Sequence, residues 1–231
     1  MNVVYSFTHH VDEWAIPSIT SLHEHNPEAN VFILCEHDEF PLKIPFDATI
    51  INVSDQTIFT NENCVNYNTA FKYPNLLKVC YPSYLPVDKV IHLDIDTIIC
   101  DSLDELWNID LTDKWFAAGL EFPNVPWGYK PYGDKYYNMG VALINLEQMR
   151  KDNIEPVMVD FLRKEELPYA DQNAWNKYAI AQDKAVAMDK KFNSSLQCGY
   201  SNNPSIVHYC SIGGWFNNRT MPQHEYLDRY R

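Results

Sequence analysis

The chain has 231 residues, 46% of them apolar, enough for the core of one α/β domain spanning residues 1–231. Its formal net charge is −13 with no basic stripe, which argues against a nucleic-acid partner. No apolar run approaches the roughly 18 residues of a membrane-crossing helix, so no transmembrane segment is expected.

The opening Met1-Asn-Val-Val-Tyr-Ser-Phe lacks the basic and long apolar stretches of a signal peptide and reads as a first strand over residues 3–7. Residues 13–25 follow as a helix, with Trp14, Ile16, Ile19 and Leu22 recurring at helical spacing. Residues 31–35 and 48–53 read as strands, and 67–84 as a helix that Pro74 starts or kinks. Residues 89–94 form the next strand, then 115–120 and 140–145. Helices are predicted over 147–164 and 170–181, and a last strand over 206–209. Strands alternating with helices predict a mainly parallel sheet flanked by helices on both faces, in which ligands bind at the carboxyl ends of strands.

The six cysteines include no C-x-x-C pair, and Cys35, Cys100 and Cys210 fall at or beside apolar runs. They read as reduced thiols of a cytoplasmic protein, with a peripheral membrane association left open. The glycosylation triplets at Asn193 and Asn218 matter only in a secreted chain.

The segment Lys89-Val-Ile-His-Leu-Asp94-Ile-Asp96-Thr-Ile-Ile carries the chemistry. Its apolar run reads as a central strand, and residues two apart at a strand end point the same way. Two such carboxylates repel one another and lose hydration, and a divalent cation is the usual remedy. The alternative is a pair of strand-exit residues reaching solvent. Between two later strands, residues 122–135 combine prolines, glycines and aromatics, as a surface loop or as a ligand-facing loop offering rings to sugar faces.

Several blocks, in order, resemble the retaining glycosyltransferases of family 8, which include lipooligosaccharide α-galactosyltransferases and glycogenin. Asp94-Ile-Asp96, with Cys100-Asp-Ser-Leu-Asp-Glu-Leu-Trp107 after it, resembles the family's D-x-D segment. Tyr136-Tyr-Asn138-Met-Gly140-Val-Ala-Leu-Ile-Asn145 resembles its Y-F-N-x-G block, Ala170-Asp171-Gln172-Asn173 its D-Q-D helix start, and Val207-His208-Tyr209-Cys210 its H-Y-x-G segment. The resemblance implies a GT-A (Rossmann-like) nucleotide-diphospho-sugar transferase fold and a metal-dependent enzyme that moves a hexose, Gal or Glc, from a UDP-sugar to a glycan, lipid-linked glycan or protein hydroxyl. It also implies that Asp94, Asp96 and His208 hold Mn²⁺, with Mg²⁺ as the second choice. Asn138 would line the donor pocket, Asp171 would bind donor hydroxyls, and Gln172 would stand nearest the reacting sugar face. Asp171 alone could equally be a helix cap.

The sequence departs from the family's pattern in several places. Thr8-His9-His10 stands where acidic or Asn residues usually meet the uridine. Asn75 replaces an Arg that steadies the donor, with Lys78 as a substitute, and the diphosphate-binding Lys before Trp215 is absent. Lys130, Lys135 or Arg219 are candidate replacements. Thr8, Asn75, Lys78, Asp94, Asn138 and Asp171 are therefore the expected donor-binding set. Two other readings compete. One is a catalytically silent sugar-nucleotide-binding protein of the same fold. The other is a haloacid-dehalogenase-type phosphatase, whose D-x-D-x-T motif nearly fits Asp94-Ile-Asp96-Thr-Ile but belongs on a first strand.

Overall fold

The computed structural model describes residues 1–8, 10, 12–40, 43–44, 46–68, 73–122, 132–210, 217, 220 and 222–230, the side chain of Asp12 excepted. In chain order the elements are β1 (Asn2–Ser6), α1 (Asp12–His25), β2 (Asn30–Cys35), β3 (Thr49–Asn52), α2 (Tyr73–Leu76), a 3-10 turn (Leu77–Cys80), α3 (Tyr81–Tyr84), β4 (Lys89–Leu93), β5 (Thr97–Ile99) and α4 (Asp104–Trp107). There follow β6 (Phe116–Leu120), β7 (Tyr137–Asn145), α5 (Leu146–Lys151), α6 (Glu155–Lys164), α7 (Ala170–Ala181), β8 (Ala185–Met188), a second 3-10 turn (Lys190–Asn193), β9 (Ile206–His208) and α8 (His224–Leu227).

Seven strands form one sheet in the order β3-β2-β1-β4-β7-β6-β8. β7 runs antiparallel to both of its neighbours, and the other pairings are parallel. The alternation of side chains along each strand divides the core in two. Val3, Tyr5, Ile33, Ile91 and Leu93 pack on one face with Ile19 and Leu22 of α1. Val4, Phe32, Leu34, Val90 and Ile144 pack on the other with Met158, Leu162 and Trp175 of α6 and α7. Both faces are thus covered, as the near-continuous apolar strands predicted. In α1 the buried positions include Ala15, Ile19 and Leu22, with Ser18 and Ser21 beside them, whereas Trp14 is turned outward.

Two predicted helices are divided, and the apolar run from Lys89 holds a second strand beyond the one predicted over 89–94. The helix predicted over 67–84 is broken into α2, the 3-10 turn and α3, in a segment that carries both Pro74 and Pro82. The helix over 147–164 stops after Lys151, where Asn153 takes a left-handed φ of 49°, and restarts with Pro156 in its first turn. The run after Lys89 is two strands: β4 ends at Leu93, and Thr97 opens β5, which pairs antiparallel with β9 as a separate two-stranded sheet. Three further elements, α4, β8 and α8, were not expected from the sequence. Among the described residues no helix is long and apolar enough to cross a membrane.

Candidate functional site

The turn between β4 and β5 gathers the carboxylates. The Asp94 amide donates to the Gly140 carbonyl of β7 at 2.7 Å, and Thr97 Oγ1 donates to the Asp94 carbonyl at 2.8 Å. β9 lies against β5 with His208 opposite Thr97, and the Tyr209 amide donates to the Asp96 carbonyl at 2.9 Å. It is this turn, rather than strand alternation, that brings Asp94 and Asp96 together. His208 Nε2 lies 3.3 Å from Asp96 Oδ1 and 4.0 Å from Asp94 Oδ2. One donor atom from each residue falls within 4.8 Å of the others, and Asp96 is 1% exposed.

These residues fit a divalent cation. Two carboxylates and an imidazole are a donor set for Mn²⁺-type ions. Oxygen and nitrogen ligands about 2.1 Å from an ion stand about 3 Å apart, close to the separations present. The backbone also leaves room. A Cβ on Gly140 would meet His208 Cε1 at 2.2 Å, His208 Nε2 at 2.7 Å and Asp94 Oδ2 at 2.8 Å, so a glycine there lets the ligands close over β7.

Asp94 Oδ1 is held from behind. Lys78 Nζ donates to it at 2.6 Å and His92 Nε2 lies at 3.0 Å. Burial pushes the His92 imidazole down to about 4, assisted by the Lys78 charge, so the ring is neutral. Its Nε2–H then donates to Asp94 while its Nδ1 accepts from the Tyr81 hydroxyl at 2.9 Å. Burial acts to raise the Asp94 carboxyl, but Lys78 and the His92 hydrogen bond carry it far below the usual carboxylate range. Burial acts to lower Lys78, but the carboxylates of Asp94, Asp171 and Asp96 hold its ammonium above its ordinary value.

Asp171 is the second residue of α7 and 4% exposed. The residue before the helix is Tyr169, whose side chain makes no capping bond, and its amide instead donates to Asn173 Oδ1 at 2.8 Å. Burial, reinforced by Asp94 and opposed by Lys78, pushes the Asp171 carboxyl up to about 6. Gln172 is fixed at both ends of its amide: Oε1 accepts from the Met139 N–H at 3.0 Å, and Nε2 donates to Glu121 Oε1 at 3.3 Å. Asn138 Nδ2 also donates to Glu121, at 3.2 Å.

The expected residues thus fall into three groups. Asp94, Asp96, His208, Lys78 and Asp171 form one charged cluster. Glu121 joins Gln172 to Asn138, and Asn138 reaches His208 of the cluster through Asn193. Thr8 and Asn75 are half-buried and outside the hydrogen-bonded cluster among the described residues; Thr8 Oγ1 accepts from the His10 amide, and Ser6 Oγ donates to the carbonyl of Pro74, next to Asn75, at 2.5 Å. Lys135 is exposed and lies near Asp183. His9, residues 123–131 including Lys130, residues 211–216 including Trp215, Asn218 and Arg219 lie outside the described residues. The sequence reading missed His92, Tyr81, Glu121 and Asn193. Asn193 stood out only as a glycosylation triplet, and at 0% exposure it is inaccessible to that modification in the folded chain. All six cysteines are free, and Cys210 lies with Sγ 3.5 Å from His208 Nδ1.

Known proteins share this fold. The galactosyltransferase LgtC, solved with donor and acceptor sugar analogues, superposes with a TM-score of 0.76 at 20% identity, covering 100% of this chain and 95% of that one. The glycosyltransferase GlyE of Streptococcus pneumoniae superposes with a TM-score of 0.74 at 18% identity over 99% of this chain and 59% of that one. The architecture is therefore the GT-A fold. In sequence, a candidate glycosyltransferase of Haemophilus influenzae is 27% identical over 84% of this chain, and the glycosyltransferase GlyA of Streptococcus pneumoniae 25% identical over 87%. The matched regions span 63% and 30% of those two relatives' own lengths. The family model "Glycosyl transferase family 8" matches residues 2–215, and the chain belongs to that family.

Proposed function

We propose that this chain is a metal-dependent, retaining hexosyltransferase that moves Gal or Glc from a UDP-sugar to a hydroxyl of a glycan, lipid-linked glycan or protein. The observation that carries the reading is the convergence of Asp94, Asp96 and His208 at the end of β4, beside the buried Lys78 and Asp171. Family membership and the relatives' names support the reaction class.

Asp94, Asp96 and His208 would hold Mn²⁺, or Mg²⁺ in its place. A bound divalent cation supplies Lewis-acid neutralisation of the charge on a departing diphosphate. The rest of the chemistry belongs to the chain. Two unit charges 4 Å apart interact by about 4 kcal/mol at an effective dielectric near 20, so the carboxylate cluster by itself repels a diphosphate. Lys78 contributes fixed positive charge to the same cluster and takes over from the cation lost at Asn75. Asp171, buried and ionised above about pH 6, accepts hydrogen bonds from donor-sugar hydroxyls. Gln172 presents its carbonyl oxygen in one orientation, because the Met139 and Glu121 bonds prevent rotation of the amide. It is a neutral group suited to an oxocarbenium-like state in which the acceptor hydroxyl enters on the face the diphosphate leaves. Thr8, Asn75 and Asn138 complete the donor-binding set.

A panel of nucleotide-sugars assayed for free-nucleotide release with Mn²⁺, with and without EDTA, tests the reading. Release from a UDP-hexose that stops in EDTA and in Asp96→Asn is expected. Full turnover in EDTA refutes the metal role. Tight UDP-sugar binding without release from any donor selects the silent binding protein instead.

A further inference from the structure

The orientation of His208 is set by a chain of hydrogen bonds that reaches Gln172. His208 Nδ1 lies 3.0 Å from Asn193 Oδ1, and Asn193 Nδ2 donates to Asn138 Oδ1 at 3.0 Å. Asn138 Oδ1 also accepts from the Gly140 N–H at 3.2 Å, while Asn138 Nδ2 donates to Glu121 Oε1. The direction of every bond follows from the chain's fixed members. A backbone N–H only donates, so the amide atom of Asn138 facing Gly140 must be its oxygen. A carboxylate only accepts, so the atom facing Glu121 must be the nitrogen. The Asn138 oxygen then requires a donor from Asn193, which turns the Asn193 oxygen toward His208. His208 must therefore carry a proton on Nδ1, and Nε2 is left to face Asp94 and Asp96.

We infer that Asn193 is the positioning residue that selects this form of His208 and holds its ring for the cation. The inference rests on the reading of His208 as a metal ligand. The fold builds the contact deliberately. Ser194 pairs with β9, its amide donating to the Ile206 carbonyl at 2.9 Å and its carbonyl accepting from the His208 amide at 3.0 Å, so Asn193 is delivered beside the ring. Asn193 is 0% exposed and packs on the bulged strand β6, where a Cβ on Gly119 would meet Asn193 Cβ and Nδ2 at 3.1 Å. The Cys210 thiol, at 3.5 Å from Nδ1, is a weaker acceptor than the amide oxygen. A ligand histidine whose other nitrogen is fixed in this way loses about 10–100-fold in metal affinity when the fixing group is removed.

Two measurements test this. In chain labelled with ¹⁵N-histidine and loaded with Zn²⁺, the His208 signals, assigned by their loss in His208→Gln, are expected to show a proton on Nδ1 and metal on Nε2; the reverse overturns the inference without any change at Asn193. Free Mn²⁺, counted by electron paramagnetic resonance, then gives affinity. Asn193→Leu is expected to bind Mn²⁺ about 10–100-fold more weakly, and Asn193→Asp, which keeps the acceptor but not the donor, close to wild type. Wild-type affinity in a folded Asn193→Leu overturns the inference, as does an Asn193→Asp as weak as His208→Gln; the latter comparison stands if Asn193→Leu does not fold. If wild-type chain binds neither ion, the metal site itself is refuted; if affinity needs His208 but not Asn193, only this inference falls.

Discussion

Gly140→Ala isolates the candidate metal site from the fold. Residue 140 lies in β7 outside the left-handed region, so alanine fits the backbone. The added methyl, however, would stand 2.2 Å from His208 Cε1 and 2.8 Å from Asp94 Oδ2. Ordinary carbon contacts begin near 3.5 Å, so the ring or the strand must retreat by about 1 Å. Metal ligation tolerates only about 0.2 Å. Overpacking of this kind costs about 1–3 kcal/mol, which leaves a folded protein. In wild type, Mn²⁺ at about 100 times its Kd should add about 2.7 kcal/mol, or roughly 5–10 °C in Tm for a chain of this length. Thermal melts with and without Mn²⁺ are expected to show that increment in wild type and none in Gly140→Ala. An increment of equal size in the variant would mean that the ion binds elsewhere.

Lys78→Met removes the buried partner of the half-buried Asp94 carboxylate and should cost about 1–3 kcal/mol in cation-free denaturation, a loss that saturating Mg²⁺ should partly recover; unchanged cation-free stability refutes the ion pair's role. The Asp171 carboxyl should titrate near pH 6 in cation-free chain by ¹³C NMR and move lower with Mg²⁺, and Asp171→Asn should weaken transfer while UDP binding persists; a loss of about 1 kcal/mol of stability with transfer unchanged would make it a helix-end residue only. His92 is neutral in the fold down to about pH 4 but takes up a proton in the unfolded chain below its usual 6.5, so its contribution is present above 6.5 and lost as pH falls toward 4, by up to about 3 kcal/mol. Comparing wild type with His92→Gln cancels the opposing slope of Asp171; identical pH profiles for the two proteins count against the buried neutral ring.

The parts of the site that were legible in the sequence are those whose signal is local. Two carboxylates after an apolar run stand out because the cost of placing them together is visible without the fold. For Asp171 and Gln172 the local pattern supplied only the helix, whose predicted range matches α7, Ala170–Ala181, while their expected roles came from the resemblance. His208 was visible only through resemblance, since a histidine in an apolar strand carries no local sign of a partner in β5. The same limit hid Asn193, Glu121 and His92. Their roles depend on which side chains the sheet order brings opposite them, and β6, β7 and the Lys190–Asn193 turn meet only after folding. The strand predicted over 89–94 matches β4, but local reasoning did not set the apolar residues after Asp96 apart as a second strand, β5. Ile98 packs in the small cluster under β9 with Val207 and Tyr209, apart from the two main faces of the sheet.

Charge balance connects the ion-free chain to its proposed activity. Asp94, Asp96 and Asp171 surround Lys78, so fixed charge leaves the cluster negative. In cation-free chain, protons on the cluster offset part of that charge. The Asp171 carboxyl rises to about 6. The His208 imidazole, which burial acts to lower, is carried well above its ordinary range by Cys210 and Asp96. A divalent ion at the same place removes the need for both protons, because it needs the His208 lone pair and favours ionised Asp171. Cation affinity should therefore rise with pH through the region where these groups release their protons. On the proposed reading, the same exchange lets a chain of net charge −13 receive a diphosphate at this carboxylate cluster: the cation and Lys78 together, rather than the overall charge, would fix the local sign.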